Sequence, residues 1–254
     1  MKNILIYPAG CTKGCLAAAR ALKSQGLPVA DHITPEATHL LLDIPSFTQD
    51  GKLRSGADFS ELMSALPEKI TVIGGKLPPS VTEKYNSMDL LADDTYQFEN
   101  AAITAECALR VAAERIPFTF RKAPVLIVGW GRIGKHLAFL LKSYGSRVSI
   151  LSRSPSHRAE AMSFGFHGLS PQELPKKLKF FRILFNTAPA MMIPKEISEI
   201  APDRLKIDLA SLPGIDSEDV VTARGLPGIL VPESSGQLIA DTIVRLLTSK
   251  EEDA

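Results

Sequence analysis

At 254 residues the chain can hold one large domain or two small ones. It is 45% hydrophobic, enough for a proper core, and its 29 Lys and Arg against 28 Asp and Glu leave it near neutral. That balance gives no electrostatic case for a nucleic acid or an anionic membrane surface. No apolar run approaches the about 18 residues that a membrane span needs, and three cysteines, an odd number, argue against a disulfide framework.

Lys2–Tyr7 reads as a first strand, its apolar part being too short for a signal peptide. Thr12 to Gln25 has helical spacing through Leu16, Ala19 and Leu22, and Gly26 ends it. Leu27–Ala30 predicts a short second strand and Thr38–Asp43 a third. Phe59–Leu66 predicts a short helix, Ile70–Ile73 a strand closed by Gly74-Gly75, and Met88–Leu91 another short strand. This is a β/α layer unit ending near residue 95. Its first turn, Pro8 to Gly14, carries no G-x-G-x-x-G, and no nucleotide is assigned to it. Cys11 and Cys15 stand four apart with no His or Cys cluster to complete a metal site, so no metal is expected. They read as small packing residues in a reducing cytoplasm.

Asp94 to Arg115 predicts a long helix through Ala101, Ala105, Ala108 and Ala112, placed as a hinge between two α/β units. Glu106 lies within it. Two readings stand for this acid: facing a cleft, or solvated as exposed glutamates ordinarily are.

The stretch from Val125 to Arg153 carries the chemistry. The apolar, β-branched run Val125–Val128 predicts a buried parallel strand. Gly129, Gly131 and Gly134 follow in the G-x-G-x-x-G spacing, then a helix with Ile133, Leu137, Leu140 and Leu141 on one face, then a strand at Arg147–Leu151. Gly129 permits the tight turn, Gly131 lets a pyrophosphate approach the backbone, and Gly134 lets the helix pack closely. The helix N-terminus, with Arg132 and Ile133 in its first turn, faces the phosphates with free N–H groups. A fingerprint in this strand–turn–helix context predicts a dinucleotide site. At the end of the second strand an NAD site carries Asp or Glu. Here the segment is Ser152-Arg153-Ser154, in which a guanidinium and two hydroxyls suit a 2′-phosphate, with His157 and Arg158 just downstream. The expected cofactor is therefore NADP(H) rather than NAD(H); the competing reading of Arg153 is a solvated surface arginine.

Ser156–Phe164 predicts a helix ended by Gly165, Pro171–Leu174 a turn or short helix, and Phe181–Asn186 a strand. Thr187-Ala188-Pro189-Ala190-Met191 is a loop, Lys195–Ile200 a short helix, and Leu205–Leu209 a strand leading to Ala210-Ser211-Leu212-Pro213-Gly214. Both loops lie at carboxyl ends of strands, where open parallel sheets bind ligands. They are candidates for the nicotinamide edge and the substrate, against the simpler reading that their prolines and glycine only end strands. Leu226–Pro232 predicts a last strand or loop. Ser234 or Ser235 caps a final helix running from Gly236 to about Ser249, and the tail from Glu251 to Ala254 is expected to fray. His136 and His167 read as surface or packing residues.

The class expected is α/β: a Rossmann-type doubly wound parallel sheet with a second, smaller α/β domain. The segments are 1–95 for the substrate-side domain, 96–117 for the linking helix, 118–233 for the NADP-binding domain and 234–254 for a helix returning to the domain interface.

In this order and at similar spacing, V-G-W-G-R-I-G, N-T-A-P-A-M, D-L-A-S-L-P-G and L-P-G-I-L-V-P-E-S-S-G-Q-L resemble the family formed by the A subunits of dipicolinate synthase. The resemblance covers residues 95–248 well and the first 95 in general layout. That family is similar in architecture to the 2-hydroxyacid dehydrogenases. The resemblance implies NADP-linked oxidation of a dihydrodipicolinate-type precursor to dipicolinate in spore formation. It also implies a small dicarboxylate-like substrate and a second subunit of the flavoprotein-like B type; a homo-oligomer stays open.

Carried onto this chain, the resemblance puts Gly129, Gly131 and Gly134 at the cofactor and Asn186, Thr187 and Pro189 over the nicotinamide. It puts Asp208, Ala210, Ser211, Pro213 and Gly214 in one turn, and Ser234, Ser235, Gly236 and Gln237 at the entrance of the final helix, while Glu106 matches the acid of the linking helix. The full expected set is Gly129, Gly131, Arg132, Ile133, Gly134, Ser152, Arg153, Ser154, Asn186, Thr187, Ala188 and Pro189 for the cofactor, and Ser211, Pro213, Gly214, Ser234 and Ser235 for the substrate. Ser211, Asn186 and Glu106 are the polar groups expected to orient the substrate in catalysis, none as an essential base.

The chain departs from the family at Leu212, where arginine is usual, at Glu233, where lysine is usual, and by a shortening between Ala223 and Leu226. Two rivals remain. A shikimate-type dehydrogenase shares the length, the basic turn and the Asn-Thr-x-Pro loop, but its first-domain Lys and Asp are not found. The other is an NADP(H)-binding regulatory subunit that does not itself turn over.

Overall fold

The computed structural model describes residues 4–252. Residues up to Asn100, together with those from Pro227 onward, form one compact unit, and Ala101–Leu226 form the other.

The first unit contains β1 (Ile6–Pro8), α1 (Lys13–Ser24), β2 (His39–Leu41), α2 (Phe59–Ser64), β3 (Thr71–Gly74), α3 (Pro79–Thr82) and β4 (Ser87–Asp89). A 3-10 turn at Leu90–Ala92 leads into α4 (Asp94–Ala113), within which the unit boundary falls. The four strands are parallel in the order β1-β2-β3-β4. The expected second strand at Leu27–Ala30 is a correction: it shrinks to one parallel bridge between Val29 and Ile6, held by Ile6 N–H to Pro28 O and Ala30 N–H to Ile6 O. Counted as a strand, it gives the order 2-1-3-4-5 of flavodoxin-like sheets. Of the expected first strand, Lys2 and Asn3 lie outside the described residues.

The alternation of side chains on β2 explains the layers. Leu41 joins Ile6, Ile73 and Met88 on one face, while Leu40 and Leu42 join Val72 and Ile70 on the other. Both faces are apolar, so both are covered by helices, as a parallel sheet requires.

The second unit contains β5 (Pro124–Val128), α5 (Arg132–Ser143), β6 (Arg147–Leu151), α6 (Pro155–Ser163), β7 (His167–Leu169) and α7 (Leu174–Lys177). After a 3-10 turn at Leu178–Phe180 come β8 (Ile183–Asn186), α8 (Lys195–Ser198), β9 (Leu205–Asp208) and β10 (Val221–Thr222). The six strands are parallel in the order β10-β9-β8-β5-β6-β7. Renumbered from β5, this is the doubly wound order 3-2-1-4-5-6, whose direction reverses between β5 and β8. The fold has the expected α/β class, with two parallel-sheet units. Strands β7 and β10 have no counterpart among the expected elements; each is three residues or fewer and exists by pairing with β6 and β9.

The end of the protein differs most from expectation. In place of a strand or loop over Leu226–Pro232, Leu226–Leu230 is a short helix, α9. The last helix, α10 (Pro232–Glu252), starts four residues earlier than Gly236. Ser234 and Ser235 therefore lie inside it rather than capping it, and Ser235 N–H donates to Val231 O at 3.0 Å. Proline at the first helical position suits this start, since its missing N–H would have no helical partner there. Of the tail, Asp253 and Ala254 lie outside the described residues.

Within the first unit α10 packs on α1 through small residues. A Cβ added at Gly236 would stand 2.5 Å from Ala17 Cβ and 2.6 Å from Ala18 N. Gly236→Val is expected to lower stability by about 1–3 kcal/mol through overpacking, read from the denaturant midpoint. Glu233, one of the departures from the family pattern, pairs with Arg20 of α1 at 2.6 Å.

In the second unit β9 carries a buried lysine. Lys206 is 1% exposed, and its ammonium donates to Pro202 O at 2.8 Å and to Asp219 at 2.8 and 2.9 Å. Burial raises the Asp219 carboxyl, but the bonds from Lys206 and Ser217 outweigh it and hold the group below the usual carboxylate value. A depressed folded value contributes stability that is present above the unfolded value of about 3.9 and lost as pH falls through the folded one. Lys206→Met should flatten the acid limb of the stability–pH curve in that window, measured by urea unfolding.

Candidate functional site

The glycine turn is built as the spacing requires. Gly129 leaves β5 with φ +98°, a left-handed value that disfavours any side chain, and a Cβ there would meet Thr187 Oγ1 at 2.7 Å. Gly134 packs the first turn of α5 onto that glycine: its Cβ would lie 2.7 Å from Gly129 O. Gly131 is different. It is the N-cap of α5 in ordinary extended geometry (φ −85°, ψ −170°), and a Cβ added there meets nothing within 4 Å. Its freedom from a side chain answers no crowding inside the protein.

As a glycine, Gly131 brings no capping oxygen to the end of α5, and no acid stands in that helix's first turn. Helices α1 and α6 differ. Thr12 caps α1 by accepting from Cys15 N–H, and Ser154 caps α6 by accepting from His157 N–H. The N-terminus of α5 thus presents N–H groups without a side-chain cap beside open space, the arrangement that suits an anion. Trp130 is buried between the two glycines, edge-on to Phe166. Lys135 lies over the Trp130 ring and pairs with Glu160 at 2.6 Å, a bond that holds the Glu160 carboxyl below its usual value.

At the end of β6, Ser152 is buried and its Oγ accepts from Ser154 N–H at 3.2 Å. Arg153 is exposed beside it. Arg158 sits one turn into α6, and its guanidinium donates to Ser152 O at 2.7 Å and Arg153 O at 3.0 Å. It braces the loop from behind, a role the sequence does not suggest.

The loops after β8 and β9 meet at the same carboxyl edge. Thr187 donates from N–H at 2.8 Å and from Oγ1 at 2.9 Å to Val128 O, which ties the β8 loop to the glycine turn across the switch point. Asn186 is fully buried. Its Nδ2 donates to Asp208 Oδ1 at 2.8 Å and Ala188 O at 3.1 Å, and its Oδ1 accepts from Ala188 N–H. Asp208, 3% exposed, also accepts from Ala210 N–H at 3.1 Å and Gly214 N–H at 2.7 Å. Ser211, Leu212 and Pro213 are exposed on the turn between those two amides, and Pro189 is exposed on the neighbouring loop.

The remaining expected residues fall elsewhere. Glu106 is on the exposed side of α4. Ser234 is exposed on α10, and Ser235 is buried there, its Oγ 3.3 Å from where a Cβ of Gly14 would be. Glu106 and Ser211 belong to the second unit, Ser234 and Ser235 to the first.

One residue of the first unit, expected only as the last of a strand, holds a turn instead. Asp43, 2% exposed at the end of β2, accepts from Cys11 N–H at 3.0 Å and from Thr12 N–H and Oγ1 at 2.9 and 2.5 Å. The protein's own carboxylate thus occupies the N-terminus of α1, where the second unit leaves α5 open. A signal for it exists: a lone acid directly after the apolar Leu40-Leu41-Leu42. Asp43→Ala is expected to cost about 2–4 kcal/mol in stability, measured by urea unfolding, because it strands buried backbone donors. Burial, then the nearby Asp43 charge, push the Cys11 thiol up, and burial pushes Cys15 up to about 12. Both stay thiols at neutral pH; Cys15 is buried and packs in the core as expected, whereas Cys11 is exposed, which corrects the packing role expected of it.

Among the described residues no group of three or more His, Cys, Asp or Glu is placed to hold a metal, and no helix is long and apolar enough to cross a membrane.

No family model matches the sequence. Among curated proteins it is 29% identical over 173 residues to the A subunit of dipicolinate synthase from Bacillus subtilis, an alignment covering 65% of its own length and 58% of that relative's. Several solved structures share its fold. The A subunit of dipicolinate synthase from Bacillus subtilis superposes with a TM-score of 0.82 at 22% identity, over 100% of the present sequence and 99% of its own. The corresponding protein of Bacillus halodurans gives 0.80 at 22% identity, over 96% and 97%. A transhydrogenase from Sinorhizobium meliloti gives 0.71 at 14% identity, over 97% and 94%. The protein is therefore similar, in sequence and in fold, to the A subunit of dipicolinate synthase, the family that its motifs resemble.

Proposed function

We propose that the protein is an NADP(H)-dependent oxidoreductase of the type formed by the A subunit of dipicolinate synthase. It oxidises a dihydrodipicolinate-type precursor to dipicolinate and works with a second subunit. The observation that carries this reading is the uncapped, open N-terminus of α5 at the switch point of a 3-2-1-4-5-6 sheet. Gly131 offers space where no protein atom needs it, and neither a capping side chain nor an acid of the first turn serves the N-terminal amides of α5. The sequence likeness to the Bacillus subtilis protein supports the substrate class.

In this reading the amides of Arg132, Ile133 and Gly134 would hold the pyrophosphate. Arg153 meets the 2′-phosphate, with the Ser152 and Ser154 hydroxyls beside it. The nicotinamide, once bound, supplies the hydride acceptor. The protein's own residues would orient the ring and keep the loops still: Thr187, Ala188 and Pro189 would line its edge, and Ser211 on the adjoining turn would hold a substrate carboxylate. Loss of a hydride and a proton makes the substrate aromatic, so a strong general base is not required.

Leu212 and Glu233 favour a second reading, an NADP(H)-binding subunit without turnover. Leu212 is exposed on the Ser211 turn, and Glu233 is engaged with Arg20, so neither supplies a cation for a dicarboxylate. An NADPH-formation assay with freshly made precursor, with and without the second subunit, separates the two. The enzyme reading expects NADPH to form at a rate proportional to the amount of this protein. NADPH binding with no turnover in either mixture would overturn it in favour of the binding subunit.

A further inference from the structure

Two loops carry the groups assigned to the nicotinamide edge, and one buried carboxylate joins them. Asp208 receives a side-chain N–H from Asn186 on the β8 loop and two backbone N–H groups, from Ala210 and Gly214, on its own turn. The close approach is enforced: a Cβ on Gly214 would sit 2.2 Å from Asn186 Nδ2 and 2.9 Å from Ala190 O. Leu209 N–H also donates to Asn186 O at 2.9 Å, so the two loops are pinned both through the backbone and through side chains. Arg224 Nε donates to Ala210 O at 2.9 Å and holds the start of the turn a second time. All three donors to Asp208 are amides, and they use both of its oxygens. Elsewhere on this carboxyl edge, the glycine turn and the Arg153 loop are organised by backbone carbonyls and serine hydroxyls instead.

We infer that Asp208 is a positioning residue for the nicotinamide half of the cofactor. It makes the Thr187–Pro189 loop and the Ser211 turn a single rigid edge, and it has no part in holding the adenosine half, which rests on Gly131 and Arg153 more than one strand away in the sheet order. This rests on the NADP(H) reading given above. Asparagine at this position keeps the shape but turns one acceptor into a donor facing an N–H. The two loops then lose their common anchor while the β5–α5 turn is untouched.

The test compares two ligands on one protein by isothermal titration calorimetry, which reads a ligand with or without a nicotinamide. Full-length wild type and Asp208→Asn are titrated with NADPH and with adenosine 2′,5′-bisphosphate, which has no nicotinamide. The variant should bind NADPH about tenfold more weakly and the bisphosphate within about twofold of wild type. Equal weakening of both ligands would show a general structural role, and unchanged binding of both would show no role; either overturns the inference. Asn186→Ala, which removes one donor and leaves the carboxylate, should show the same split and serves if Asp208→Asn does not fold. Failure of the wild type to bind either ligand is a separate result, which would remove the cofactor reading itself.

Discussion

Replacing Gly131 with aspartate is expected to weaken NADPH binding about 100-fold or more while leaving the unfolding midpoint unchanged or slightly raised. The expectation follows from the geometry of that one residue. Its φ and ψ are ordinary for any amino acid, and an added Cβ meets nothing within 4 Å, so the fold tolerates a side chain. Aspartate is also a better helix cap than glycine. A residue kept as glycine against its own helix's interest needs a reason outside the protein's packing, and a phosphate against the backbone supplies one. The carboxylate would then occupy the anion's place and repel it. Gly134 gives the contrast. Its Cβ would lie 2.7 Å from Gly129 O, so Gly134→Ala is expected to cost about 1–3 kcal/mol of stability, ligand or not. Binding titrations beside thermal unfolding of the two variants check both statements.

Arg153→Ser is expected to weaken NADPH binding about 10–100-fold and leave NADH binding nearly unchanged, so that the preference between the cofactors is lost or reversed. In the function proposed above, a charge-assisted bond to the 2′-phosphate is the interaction removed, and NADH has no group there to lose it. The loop itself should survive the change. Arg153 is exposed, and the loop's shape is held by Arg158 through the carbonyls of Ser152 and Arg153 and by Ser152 Oγ on Ser154 N–H. Competitive titration with the two reduced cofactors is the measurement. Equal loss of both would mean that Arg153 supports the loop rather than the phosphate.

The parts of the fold that are legible in the sequence are those where local pattern and tertiary role coincide. Arg147–Leu151 is a strand with the bounds expected, because five alternating residues after a helix-ending glycine leave little choice. The glycine spacing predicts a strand, a turn and a helix, and all three are present. Short elements defined by their neighbours are not legible. His167–Leu169 and Val221–Thr222 have no pattern of their own and become strands by pairing with β6 and β9. Leu226–Leu230 misleads in the other direction: Pro227 and Gly228 read as strand punctuation, yet proline early in a helix is well tolerated. That error moves the start of α10 and turns two helical serines into supposed caps. The candidate site divides in the same way. Gly129 and Gly134 can be assigned from spacing, whereas Asp43 and Asp208 hold loops through partners up to 32 residues distant that no spacing reveals.

In the proposed function the open end of α5 takes a dinucleotide bearing a 2′-phosphate. Titrating the wild-type protein with NADPH and with NADH, and following Trp130 emission, tests it most directly. Trp130 is buried between Gly129 and Gly131, so a dihydronicotinamide cofactor bound at this turn should quench its emission. Saturable quenching by both is expected, with NADPH bound at least about tenfold more tightly. Equal or tighter binding of NADH would contradict the role given to Arg153, and no saturable change with either cofactor would contradict the site.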